Sequence, residues 1–122
     1  MIAILIILTI LIILDAIGDG LRAREKQLAH HVLEAIQIVV WFFYAYTVMK
    51  LGLDVYYQIW ALVFYTSLRI MIFNPIINIV MRKSFFYLGN TNYWDRFMRR
   101  NSGIVYWINL VVMIGSIWRL FN

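Results

Sequence analysis

Between Asp15 and Glu34 the chain reads DAIGDGLRAREKQLAHHVLE. This stretch holds Asp15, Asp19, Glu25 and Glu34 out of the protein's 6 acidic residues, both histidines (His30, His31) and the cations Arg22, Arg24 and Lys26. Carboxylates and imidazoles are the side chains that ligate divalent metals and move protons. Asp15 and Asp19 stand at i, i+4, so on a helix both carboxylates share one face. His30 and Glu34 have the same spacing, and His31 with Glu34 gives H-x-x-E at i, i+3. Two such pairs at facing helix ends offer several oxygens and one or two nitrogens. That set suits Zn, Mn or non-haem Fe rather than Cu(I), which prefers sulfur. A metal held there would activate water or orient a phosphate.

The elements that must position these groups are membrane helices. Hydrophobic residues make up 64% of the 122 and charged residues 14%, against about 45–50% and about 25% in soluble domains. Such a chain cannot cover itself with polar surface, so lipid is its expected solvent. The net charge of +5 would fit nucleic acid, but aromatic-rich apolar runs separate the cations, which read instead as topology signals and contacts to anionic headgroups. Nucleic acid is therefore not an expected partner; membrane lipids are, with homo-oligomerisation open. There is no cysteine, which removes disulfides, thiolate metal sites and cysteine nucleophiles. No Gly-rich phosphate loop, Ser/His/Asp series or dinucleotide fingerprint is present.

The expected fold is all-α: one transmembrane domain over 1–122, an integral membrane bundle of four helices with a short interfacial helix between spans three and four. The spans are placed at about 2–18, 31–49, 55–73 and 103–121, with cytoplasmic loops 19–30 and 76–102. The run Met1–Leu14 is apolar except for Thr9, with no cationic n-region before it and no small-residue cleavage site after it, so it is expected to be a span rather than a signal peptide. Gly18 and Gly20 are expected to loosen its end. In the second span His30, Glu34, Gln37, Trp41 and Tyr44 share a helix face, which should point at protein because lipid cannot satisfy it. A turn at Lys50–Asp54 makes spans two and three antiparallel neighbours. Pro75 is expected to kink or end the third span. Gly89-Asn90 signals a turn, and Thr91 or Asn92 would cap a short helix.

Lys and Arg outside the spans fall eight against two: Arg22, Arg24, Lys26, Arg82, Lys83, Arg96, Arg99 and Arg100 against Lys50 and Arg119. That bias places the first and third connections in the cytoplasm and both termini outside, as in a multi-pass protein of a bacterial inner membrane. Asp15, Glu34, Arg69, Asn74 and Asn109, with Gln37 nearby, then all fall in or near the cytoplasmic leaflet. A lone charge in hydrocarbon costs at least ~2.5–3.5 kcal/mol, so these groups should pair. Arg69 is the partner expected for Asp15 or Glu34. Two readings stand side by side: a structural ion pair with ordinary interfacial histidines, or a metal site built from Asp15, Asp19, His30, His31 and Glu34. Arg22, Arg24, Arg99 and Arg100 read as headgroup or anion contacts.

Asp19-Gly20-Leu21-Arg22-Ala23-Arg24 resembles D-G-x-x-A-R, the first half of the CDP-alcohol phosphotransferase motif. The resemblance implies phospholipid synthesis with divalent metal, Asp19 as a ligand and Gly20 and Arg24 serving a nucleotide. The second half, G-x-x-x-D-x-x-x-D, is absent. Across nearly the whole chain, D-x-x-x-D-G-x-R, H-x-x-E, L-R-x-x-x-F-N-P-x-x-N (Leu68 to Asn78) and Y-L-G-N-T-x-x-x-D-R (Tyr87 to Arg96) resemble small uncharacterised membrane proteins of gut-type bacteria and their phages, a group that implies no activity. The functional expectation is a polytopic membrane protein with a cytoplasmic-leaflet polar site, binding a divalent metal and binding or acting on a lipid or amphiphile. The alternatives are an oligomeric channel or holin-like protein, with Arg69 and Asn109 lining a path or a subunit interface, and a subunit of a larger membrane complex.

The topology has a direct test, because any introduced cysteine is the only one. Asn122→Cys should react with a membrane-impermeant thiol reagent in intact cells, and Lys26→Cys only after lysis. The reverse pattern would invert the orientation.

Overall fold

Four helices form the described part of the chain: α1 (Ile2–Ala23), α2 (Gln27–Leu51), α3 (Val55–Val80) and α4 (Tyr93–Phe121). The structure, a computed structural model, describes residues 1–85, 87 and 93–122, with only the backbone of Trp94 and Asp95. The turn expected at Gly89-Asn90 and the cap at Thr91 or Asn92 lie outside the described residues. All four helices are long and apolar enough to cross a membrane.

Local chemistry sets the helix ends. α1 closes on Arg24, and Glu25 takes a positive φ of 60° so that the chain can reverse within Arg24–Lys26. α2 ends at Gly52 in the left-handed conformation (φ 59°), which a residue without Cβ adopts freely. Its N–H and that of Leu53 return to the carbonyls of Met49 and Val48. Asp54 then caps α3, accepting from the Tyr57 N–H at 3.2 Å.

The apolar core lies at one end, where Ile4, Leu8 and Leu11 of α1 meet Ala61 and Phe64 of α3 and Leu120 of α4. The first and last helical turns share this cluster, so both termini lie at the same end of the bundle. α1 packs against α2 on one side and α3 on the other, and α3 packs against α4. α1 and α3 run parallel, since Ile4 and Leu8 lie near Ala61 and Phe64 while Gly20 lies near Val80. α2 and α3 are antiparallel as expected, but α1 is interposed between their backbones, and they meet through the rings of Trp41 and Tyr65.

Four expected boundaries are corrected. α1 does not loosen at Gly18 and Gly20 but continues to Ala23, and α2 already begins at Gln27, so most of 19–30 is helix. Gly20 serves close packing instead: a Cβ there would stand 2.7 Å from Cβ and Cγ1 of Val80. α3 likewise passes through Pro75 and ends at Val80. Only one N–H is lost at the proline, and the seating of Val80 on Gly20 rewards the extra turn. Residues 76–80, expected as part of a separate interfacial helix, are thus the end of α3. Residues 93–100 are the start of α4, and among the described residues no further helix separates the two. Beyond α3, the buried Asn78 amide donates to the carbonyls of Phe85 and Tyr87 at 3.0 and 2.7 Å, tying the chain back.

Gly20→Ala should lower stability, because overpacking costs ~1–3 kcal/mol and exceeds the ~1 kcal/mol helix-propensity gain. Gly18→Ala should be neutral or stabilising, since its Cβ meets only Nδ1 of His30 at an ordinary 3.5 Å. Thermal unfolding of both variants in detergent checks the contrast; equal midpoints would contradict the close approach.

Candidate functional site

The polar half of the bundle begins at His30, which lies in the first turns of α2 and is buried. Its Nδ1 stands 3.0 Å from the Gly18 carbonyl oxygen. A carbonyl only accepts, so Nδ1 carries a hydrogen and donates. This contact fixes the ring and directs Nε2 at Oε1 of Glu34, 3.3 Å away. The other carboxylate oxygen, Oε2, lies 2.9 Å from Nδ1 of the exposed His31. Glu34 therefore sits between two imidazoles, as the i, i+4 and i, i+3 spacings require.

Ligand atoms of His30, His31 and Glu34 all lie within 4.8 Å of one another. Three ligands on one ion at ~2.0–2.1 Å stand roughly 3.3–3.6 Å from one another, so enclosing an ion takes a closure of roughly 1–1.5 Å in the widest pair. The His30–Gly18 contact matches the outer hydrogen bond by which a metal-binding imidazole is commonly oriented. Without a cation, Nε2 faces the carboxylate favourably only when it too is protonated. The same geometry thus serves an imidazolium–carboxylate pair or a metal.

A cavity of about 90 Å³ opens beside this group, lined among others by Asp15, Asp19, Arg22, His30, Glu34 and Gln37. Its volume corresponds to roughly three waters at ~30 Å³ each. Asp15 and Asp19 share the helix face their spacing implies. Asp15 is nonetheless committed across to α3, where Nη1 of Arg69 donates to its Oδ2. Arg69 is flanked one turn to either side on α3: Nη1 reaches the Tyr65 hydroxyl at 3.4 Å, and the guanidinium lies 4.1 Å from the centre of the Phe73 ring. Asn74 and Thr66 join Arg69 around a second cavity of about 140 Å³.

Of the five residues expected to hold a metal, the structure draws His30, His31 and Glu34 into one group. Asp19 lines the adjoining cavity, and Asp15 is paired with Arg69. Gln37 faces the same cavity, but Asn109 is turned onto its own helix, its amide donating to the Val105 carbonyl at 2.8 Å. Arg22 lines the cavity, whereas Arg24 reaches the Val80 carbonyl at 3.2 Å. Gly20 and Arg24, the positions that the half-motif would give to a nucleotide, thus both meet Val80. Arg99 and Arg100 are exposed near the start of α4.

Sequence reasoning missed the Gly18 carbonyl, which no side-chain pattern announces, and the role of Asn78. It also missed Tyr65 and Phe73, although their i−4 and i+4 spacing from Arg69 was a readable signal.

No family model, curated protein or solved structure matches this chain. The functional reading therefore rests on the site itself.

Breaking the Asp15–Arg69 pair should be costly. Asp15→Asn and Arg69→Met should each lose about 2–3 kcal/mol, below the ~3–5 kcal/mol of a fully buried pair because both side chains are partly exposed. The double variant should lose less than the sum of the two, by unfolding in detergent. Additive losses would show that the two charges are uncoupled.

Proposed function

We propose that the protein is a multi-pass membrane protein that binds a divalent metal at the α1–α2 hairpin and there binds or acts on a lipid or other amphiphile. The observation that carries this reading is the aim of His30 Nε2 at Glu34, set by the Gly18 carbonyl 3.0 Å from Nδ1, beside a cavity that Asp15 and Asp19 also line. Nitrogen and carboxylate donors without sulfur favour Zn, Mn or Fe(II). His31 and Glu34 are exposed at the rim, so the site is open to the headgroup region, on the cytoplasmic side by the distribution of Lys and Arg. The 26 residues of α3 extend roughly 39 Å against a hydrocarbon core of ~30 Å. The helix is thus longer than the core it would cross.

A channel or holin-like assembly, or a place in a larger complex, is the second reading. It is favoured by α2, whose Phe42, Phe43 and Met49 are 73, 62 and 73% exposed and leave a broad apolar face for another chain. Against a conduction path, Arg69 is neutralised by Asp15, and the Asn109 amide is satisfied within its own helix.

Metal analysis of purified protein decides between them. The wild type should hold about one equivalent of Zn or Mn and gain thermal stability on adding the metal. His30→Gln and Glu34→Gln should each weaken binding by at least ~10-fold, the lower end of what even outer-shell losses cost. A metal-free wild type whose melting is unchanged by either ion would refute the metal reading.

A further inference from the structure

A second surface with polar and apolar parts lies along α3 and α4. Arg96 and Arg100 stand one turn apart near the start of α4 and line an open concavity of about 590 Å³ with Tyr93 and Asn101. Seven residues is close to two helical turns, so the face that carries Arg96 and Arg100 continues as Gly103 and Trp107. Here α3 and α4 leave an apolar groove. One part, about 190 Å³, is walled by Met71, Gly103, Tyr106, Trp107 and Leu110. A larger part, about 440 Å³, reaches Ile13, Ile72 and Pro75 and shares Met71 and Tyr106 with the first. Among the described residues, no atom outside its own stretch of helix lies within 4 Å of where a Cβ on Gly103 would stand, so the groove is open at that point.

We propose that this surface binds one anionic phospholipid, its phosphate on Arg96 and Arg100 and an acyl chain in the groove past Gly103. The proposal rests on the membrane reading of the four helices and is independent of the metal site. α3 and α4 are antiparallel, so Pro75 and Gly103 lie toward the end that carries the arginines, while Met71 and Leu110 lie deeper. Charge at the helix end passing into apolar walls is the polarity profile of a phospholipid. Two guanidiniums a turn apart can each offer paired donors to phosphate oxygens. They favour a net-negative headgroup over a zwitterionic one, because cations near an anionic surface gain attraction individually. The walls below them carry no charged side chain, which excludes a water-soluble phosphate compound from the groove.

The test uses the full-length protein, delipidated in detergent and titrated with phosphatidylglycerol, phosphatidylcholine or glycerol phosphate, with binding read by native mass spectrometry and melting temperature. Phosphatidylglycerol should be retained and should raise the melting temperature above the value reached with phosphatidylcholine, while glycerol phosphate should do neither. Arg96→Gln with Arg100→Gln should weaken phosphatidylglycerol binding roughly thirtyfold and phosphatidylcholine binding much less, so that the preference between the two lipids is lost. Arg96→Lys with Arg100→Lys should keep most of the preference. Gly103→Leu, whose side chain enters open space, should weaken both lipids without loss of the fold. Equal binding of the two lipids by the wild type overturns the proposal, as does full phosphatidylglycerol affinity in the double glutamine variant. Stabilisation by glycerol phosphate equal to that by the lipid overturns the groove. If the glutamine variant does not fold, the wild-type lipid comparison and Gly103→Leu decide.

Discussion

The ion pair between Asp15 and Arg69 sets the register of α1 against α3, and the rest of the arrangement follows from that register. Each side chain lies within a helix apolar enough to cross a membrane. Neither charge can be left alone in hydrocarbon without a cost of at least ~2.5–3.5 kcal/mol. A slip of one helical turn, ~5.4 Å, would part them and expose both. The register that joins them also seats Gly20 on Val80 and brings Ile4 and Leu8 to Ala61 and Phe64. Tight sterics, apolar burial and charge pairing therefore agree at three levels along one helix pair. Tyr65 and Phe73 add a hydroxyl and a ring face around the guanidinium, so Arg69 is held on several sides.

With α1 fixed against α3, its other flank is presented to α2. Gly18 lies on that flank between Asp15 and Asp19, and its carbonyl oxygen is where His30 reaches the backbone. The carbonyl that accepts from Nδ1 is an unusual anchor, because a mid-helix carbonyl already serves its own helix and offers only its second lone pair. That contact gives the imidazole one orientation and one assigned proton. The acidic groups of the cavity are balanced unevenly: Asp15 is spent on Arg69, while Asp19 and Glu34 face Arg22 and the histidines. A cation entering there meets carboxylates that the protein has not wholly neutralised.

Much of this was legible in the sequence because it is local. The i, i+4 spacing of Asp15 with Asp19, and of His30 with Glu34, fixed shared faces before any tertiary contact was known. Long apolar runs marked four helices, and the sparing use of charge singled out Arg69 as needing a partner. Two tertiary facts were not legible. Gly18, Gly20 and Pro75 are helix breakers by local propensity, yet all three lie inside helices, because close packing at Gly20 and Val80 outweighs a deficit of about 1 kcal/mol per glycine. The choice of Asp15 over Glu34 as the partner of Arg69 depends on which helix lies between the other two, and chain order does not encode that. The turn at Gly52 suggested that α2 and α3 pack together, whereas α1 separates their backbones.

That interposition bears on what the site can couple to. His30, His31 and Glu34 all belong to α2, so an ion held by these three alone would reach α1 only through the His30–Gly18 contact. Asp15 and Asp19 belong to α1, and Asp15 is already tied to α3. An ion that draws Asp19 into its shell links α1 to α2, and competition for Asp15 would reach Arg69 and the register of α3. α2 is the helix with most to gain from such a link. Among the described residues its backbone packs on α1 alone, and in its most apolar stretch no side chain is buried. The hairpin is otherwise held by the His30–Gly18 contact and by Val40, Tyr44 and Val48 against the core. The distinction between a one-helix and a two-helix ligand set is therefore also the distinction between an ion site that reaches α1 through one contact and one whose occupancy is felt by the whole bundle.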